Sequence, residues 1–135
     1  MNAKHISFKN VDKTKHTVYL DKANDFYSAM LQSYSNKNWH STGLEAVHCA
    51  ISITDCLLVC KKGIRCSSQD HRDLIHLLVD QIDAKETNKY ANTLTQIIGM
   101  KNIVEYEDRS FREKEANEIL LRTERYYNWV KALLP

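Results

Sequence analysis

The hydrophobic positions of this chain recur at intervals of three and four over most of its length, the period of an α-helix with one face turned to a core. Ala23, Phe26, Tyr27, Met30, Leu31 and Tyr34 mark a first helix over Asp21–Asn36, with Asp21 as its N-cap. Leu44, Val47, Ile51 and Leu58 form the stripe of a second. Thr42-x-x-Glu45 reads as its capping box, and Lys61, Lys62 and Gly63 suit its C-terminus. Leu74, Leu77, Leu78 and Ile82 predict a third helix that starts after Ser67 or Ser68. Tyr90, Leu94, Ile97, Ile98 and Val104 predict a fourth over Thr87–Tyr106. The fifth opens on a capping box, Ser110-x-x-Glu113, and continues through Ala116, Ile119, Leu120, Tyr127, Val130 and Leu134. Residues 1–19 lack such a stripe and read as an N-terminal arm docked by Val18, Tyr19 and Leu20, ahead of one helical domain over 20–135. The expected fold is all-α, an up-and-down bundle of about five helices joined by short connections.

Composition narrows the alternatives. A chain of 135 residues fits one domain and buries a core without staples. Three Gly and one Pro are too few turn residues for an all-β chain of this length. The net charge of +2, with acids and bases alternating in the C-terminal third, describes solvated helix faces and no nucleic-acid-coating patch. Cys49, Cys56, Cys60 and Cys66 form no CxxC pair and read as small packed thiols, neither a disulfide framework nor a zinc site. No apolar signal core opens the chain, and the longest apolar run, Cys56–Cys60, is too short to cross a bilayer. The expected compartment is the cytoplasm, with no membrane contact.

Polar residues inside the stripes are the informative positions. Asp55 falls on the face of Ile51 and Leu58, His48 on that of Leu44 and Ile51, and Lys101 on that of Ile98 and Val104. Each is therefore expected to point at least partly inward, and buried charge seeks a partner. An Asp55–Lys101 pair near His71 is the specific expectation, as an internal ion pair or as part of a site. His76 and Asp80, four apart, could share a metal ion, but two ligands are weak evidence and no metal or cofactor is expected. HExxH, P-loop, GxSxG and GxGxxG patterns are absent. Cys49 and His48 are sequence neighbours, so on a helix they point about 100° apart and do not form a nucleophile–base pair.

Three segments carry a family resemblance: Leu44–Val59, Ser67–Leu74 with Leu77 and Leu78, and Lys101–Tyr106 with the following Glu107, Asp108 and Arg109. Together they resemble the HEPN domain over roughly residues 20–134: its small-residue second helix, its His-and-Leu third-helix start and its Arg-Asn-x-x-x-His-x-Tyr segment. The resemblance implies a helical bundle that commonly dimerises. It also implies one of two roles: a metal-independent ribonuclease, often a toxin, or a non-catalytic companion, often beside a nucleotidyltransferase. This chain departs from the ribonuclease pattern. Lys101-Asn102 stands where the family has Arg-Asn, and Val104 and Glu105 stand where its His is expected. His76 is the last histidine of the chain, and Glu105 is a poor acid near neutral pH unless its pKa is raised. A literal Arg-x(5)-His, Arg65 to His71, precedes the third helix and offers a phosphate binder and an acid/base.

The function expected is therefore that of a non-catalytic HEPN-like binding or interaction protein, a homodimer. Asp55, His71, Lys101, Asn102 and Tyr106 form its polar cluster. The alternative is a ribonuclease toxin acting on RNA and neutralised by an antitoxin or paired with a nucleotidyltransferase. Its candidate catalytic residues are Arg65, His71, Lys101 and Glu105.

Overall fold

Helix α2, Trp39–Lys62, is the axis about which the other elements are arranged. The computed structural model describes residues 6–135. In it α2 packs most extensively against α1 (His16–Ser35) and α6 (Glu113–Leu133). The shorter α3 (His71–Gln81), α4 (Thr87–Gly99) and the five-residue α5 (Lys101–Glu105) close the remaining sides. The all-α bundle expected from the periodicity is the fold observed. Every residue from Ser52 to Val59 is buried, which no single stripe produces. A helix buried on all faces is a core helix. Its small residues, Gly43, Ala46, Cys49, Ala50 and Ser52, let neighbours approach from several directions. Leu44 and Ile51, read as core positions, are only half-buried. By length and composition alone α2 is apolar enough to cross a bilayer, contrary to the expectation drawn from the Cys56–Cys60 run, and most of that stretch is enclosed by the bundle.

Helix boundaries moved where tertiary contacts claimed the expected caps. Asp12 accepts from the Thr14 amide at 2.9 Å, a 3₁₀ turn follows at Lys13–Lys15, and α1 starts at His16 with Asp21 inside it. In α2, Thr42 donates back to the Asn38 carbonyl at 2.8 Å, and Glu45 accepts from Ser33 of α1 at 2.7 Å, so the expected capping box does not form. The α6 box is displaced too. Phe111 is buried against α2 and leaves Ser110 outside; Glu115 accepts the Arg112 amide at 3.1 Å. The predicted fourth helix breaks at Met100 into α4 and α5. Gly63 ends α2 in the left-handed conformation, φ 64°, which glycine adopts without strain.

Part of the segment read as an arm is woven into the fold. Strand β1 (Phe8–Asn10) pairs antiparallel with β2 (Ile64–Cys66), in the register Phe8↔Cys66 and Asn10↔Ile64. Tyr19 and Leu20 lie on α1 and pack against the core, while Val18 is exposed. Residues 1–5 lie outside the described residues.

The α2–α6 seam holds one buried polar link. Thr54 donates its only hydroxyl proton to the Ala50 carbonyl at 2.7 Å, so the fully buried Tyr126 hydroxyl, 2.6 Å away, must donate to Thr54. Tyr126→Phe is expected to cost about 1–2 kcal/mol. Urea unfolding should show a lower midpoint at unchanged slope; an unchanged midpoint would show that this bond is not needed.

Candidate functional site

His71, Lys101 and Asn102 line one cleft of about 600 Å³ between the start of α3 and the α4–α5 junction. Local chemistry sets its rim. Asp70 caps α3 by accepting the Arg72 amide at 3.0 Å, which makes His71 the first helical residue. The break at Met100 starts a new turn, α5, with Lys101 and Asn102 at its head. Ile75 and Ile98 supply apolar wall.

The placement of α5 depends on Gly43. A Cβ there would lie 2.7 Å from Val104 Cγ2 and 2.9 Å from the Phe111 ring, so glycine is what lets these side chains rest on the α2 backbone. That seating holds Lys101 and Glu105 near His48 of α2 and His71 of α3, close enough for their charges to be felt at one another's ionisable groups.

Within the cluster each charge has a local answer. Lys101 Nζ donates to Glu105 Oε2 at 2.9 Å, and both side chains are about four-fifths buried (19% and 21% exposed). This bond holds the lysine pKa above its usual value and the glutamate below its own. Glu105 is thus a firm carboxylate, the opposite of the raised pKa that an acid catalyst would need. Partial burial lowers the His71 pKa, helped by the nearby Lys101 and His48 charges, so the ring is neutral near pH 7. Lys101 also lies over the Tyr106 ring, 5.4 Å from its centroid, and Tyr106 itself is exposed. On the rim, Arg72 and Asp70 form their own pair at 2.9 Å.

The expected Asp55–Lys101 pair is not formed. Asp55 Oδ2 lies 3.8 Å from Arg65 Nε, with Lys22 the other cation acting on it, and Lys101 is paired with Glu105. The reason is axial distance. Val104 seats α5 at Gly43, twelve residues before Asp55, or about 18 Å along α2. The Arg65–His71 combination fails to assemble as well. Arg65 sits on β2, 5.4 Å from the Tyr19 ring centroid, and does not line the cleft. Burial drives the Asp55 pKa up to about 6, against the pull of Arg65 and Lys22. Arg65 Nε is buried with no hydrogen-bond partner.

His48 was visible in the sequence as a break in the α2 stripe, but its membership of this cluster was not. It stacks on Phe26 of α1 with ring centroids 5.3 Å apart. His76 and Asp80 line a second groove of about 710 Å³ between α3 and α4, which shares Ile75 and Thr95 with the cleft. Among the described residues, no three His, Cys, Asp or Glu side chains are grouped to hold a metal ion. Cys49 and Cys56 are buried, and burial pushes each thiol up to about 12, which makes them poor nucleophiles.

No family model matches this chain, and no curated protein and no solved structure is significantly similar to it. The class defined by the fold is that of an all-α bundle with a polar cleft at one end of its third helix.

Proposed function

We propose that this protein is a HEPN-like binding or interaction protein without catalytic activity, acting as a cytoplasmic homodimer beside a partner such as a nucleotidyltransferase. The observation that supports the reading is that Arg72 and Lys101, the two Lys or Arg side chains among the described residues of the cleft, are each paired with a carboxylate at 2.9 Å. A ribonuclease of the HEPN type must meet a phosphate with free positive charge and supply a proton to the leaving oxygen. Here the lysine is already neutralised, and the adjacent glutamate is held ionised.

One observation favours the second reading, the ribonuclease toxin. His71 is held neutral next to Lys101, the state a general base requires. The test is incubation of the purified protein with a fluorogenic RNA in the presence of a chelator. No cleavage above buffer is expected, and no growth arrest on overexpression. Cleavage abolished by both His71→Ala and Lys101→Ala would replace the binding reading with the ribonuclease.

A further inference from the structure

We infer that the His71–Lys101–Asn102 cleft takes an uncharged polar ligand, and that Glu105 is the residue that excludes anions from it. The inference rests on the binding reading of this cleft and gives it a ligand class.

The wall combines apolar surface from Ile75 and Ile98 with neutral hydrogen-bonding groups from Gln69, Thr95 and Asn102. An amide presents both a donor and an acceptor, as does a neutral imidazole. Such a rim recognises a ligand that also presents both, and among the described residues its lysine and arginine are each paired with a carboxylate.

Glu105 does not line the cleft, yet it decides what Lys101 presents there. Its carboxylate accepts a hydrogen bond from the lysine at 2.9 Å, with both side chains about four-fifths covered, so the counter-charge is fixed in place. An anion entering the cleft would meet a lysine whose charge Glu105 already offsets in part. It would have to compete with Glu105 for Lys101 and lose its own hydration in doing so. On the rim, Arg72 pairs with Asp70 at 2.9 Å but stays 80% exposed, so water screens that pair. An uncharged ligand meets neither cost. The tie between Glu105 and Lys101 is a single i, i+4 contact on a five-residue helix, so what Lys101 presents to the cleft depends on one side chain.

The test uses an isosteric pair, benzamide and benzoate, whose ring fits the apolar wall and which differ in charge at the polar end. Binding is read from the NMR resonances of the His71 ring and the Asn102 side-chain amide in the whole protein at about pH 7.5. Benzamide is expected to shift both, and benzoate to bind on the order of tenfold more weakly. Glu105→Gln keeps a hydrogen-bond acceptor for Lys101 and removes the charge. It is expected to improve benzoate binding about tenfold relative to benzamide. Adding Lys101→Gln to that variant should abolish the gain, which separates a charge effect from a change of shape. Benzoate binding as tightly as benzamide to the unmodified protein would overturn the inference and leave the binding reading in place. If neither compound moves the cleft resonances, both fall.

Discussion

Replacing Asp55 by Asn is expected to stabilise the protein at about pH 7.5 by about 2–3 kcal/mol and to leave it unchanged below about pH 4. Asp55 is buried on the central helix, and its closest cationic atom, Arg65 Nε at 3.8 Å, is beyond hydrogen-bonding distance. Burial raises its pKa from 3.8 to about 6 because the ionised form has lost water without gaining a full replacement. The sign follows from proton linkage. Where the folded pKa exceeds the unfolded one, the folded chain binds the proton more tightly. The stabilisation is complete below the unfolded pKa and is lost as pH rises through about 6. Asparagine removes that dependence. The Arg65 guanidinium keeps its place over the Tyr19 ring, and an asparagine at position 55 still offers an amide oxygen toward its buried Nε. Urea unfolding of both proteins across this pH range checks the result. A gain of equal size at both ends would show that Asp55 acts through packing and not through its charge.

Gly43→Ala is expected to destabilise the fold by about 1–3 kcal/mol, although the same change in an exposed helix interior gains up to about 1 kcal/mol. The added methyl would stand 2.7 Å from Val104 and 2.9 Å from the Phe111 ring, closer than side chains pack. Relief requires α5 or Phe111 to move away from α2. Because Lys101 and Glu105 ride on α5, the variant should also change the cleft. As α5 withdraws, the lowering of the His71 pKa by Lys101 is removed along with the smaller opposing pull of Glu105, and NMR titration of the His71 ring should give a higher value than in the unmodified protein. A variant that is more stable, with His71 titrating as before, would show that Gly43 does not place α5.

These two positions show how unevenly the sequence reveals the molecule. Asp55 was legible as an anomaly because a charge interrupts an apolar run, and its burial follows from that pattern. Its partner was not legible. Helical periodicity fixes direction around an axis but says nothing about which element lies opposite or at what height. Arg65 reached Asp55 from a three-residue strand too short to show a period, and β1, its pairing partner, lay in a segment that reads as an arm. Gly43 gave no signal, because glycine next to an expected N-terminus looks like a start of helix and not a seat for another chain segment. Of the cluster residues named from sequence, His71, Lys101 and Asn102 line one cleft, Tyr106 stands beside Lys101, and Asp55 lies elsewhere. Glu105, first weighed as a poor acid, is the residue that neutralises Lys101.

The sequence by itself determined the all-α class, the approximate extent of its longer helices and the unusual placement of Asp55, His48 and Lys101. Those properties depend on the 3.6-residue period and on solvation, both of which act locally. Tertiary structure alone decided the partner of Asp55, the break between α4 and α5 and the enclosure of α2 on every side. Each of these depends on where one helix crosses another. That is set by contacts such as Val104 and Phe111 on Gly43, between residues more than sixty positions apart in the chain.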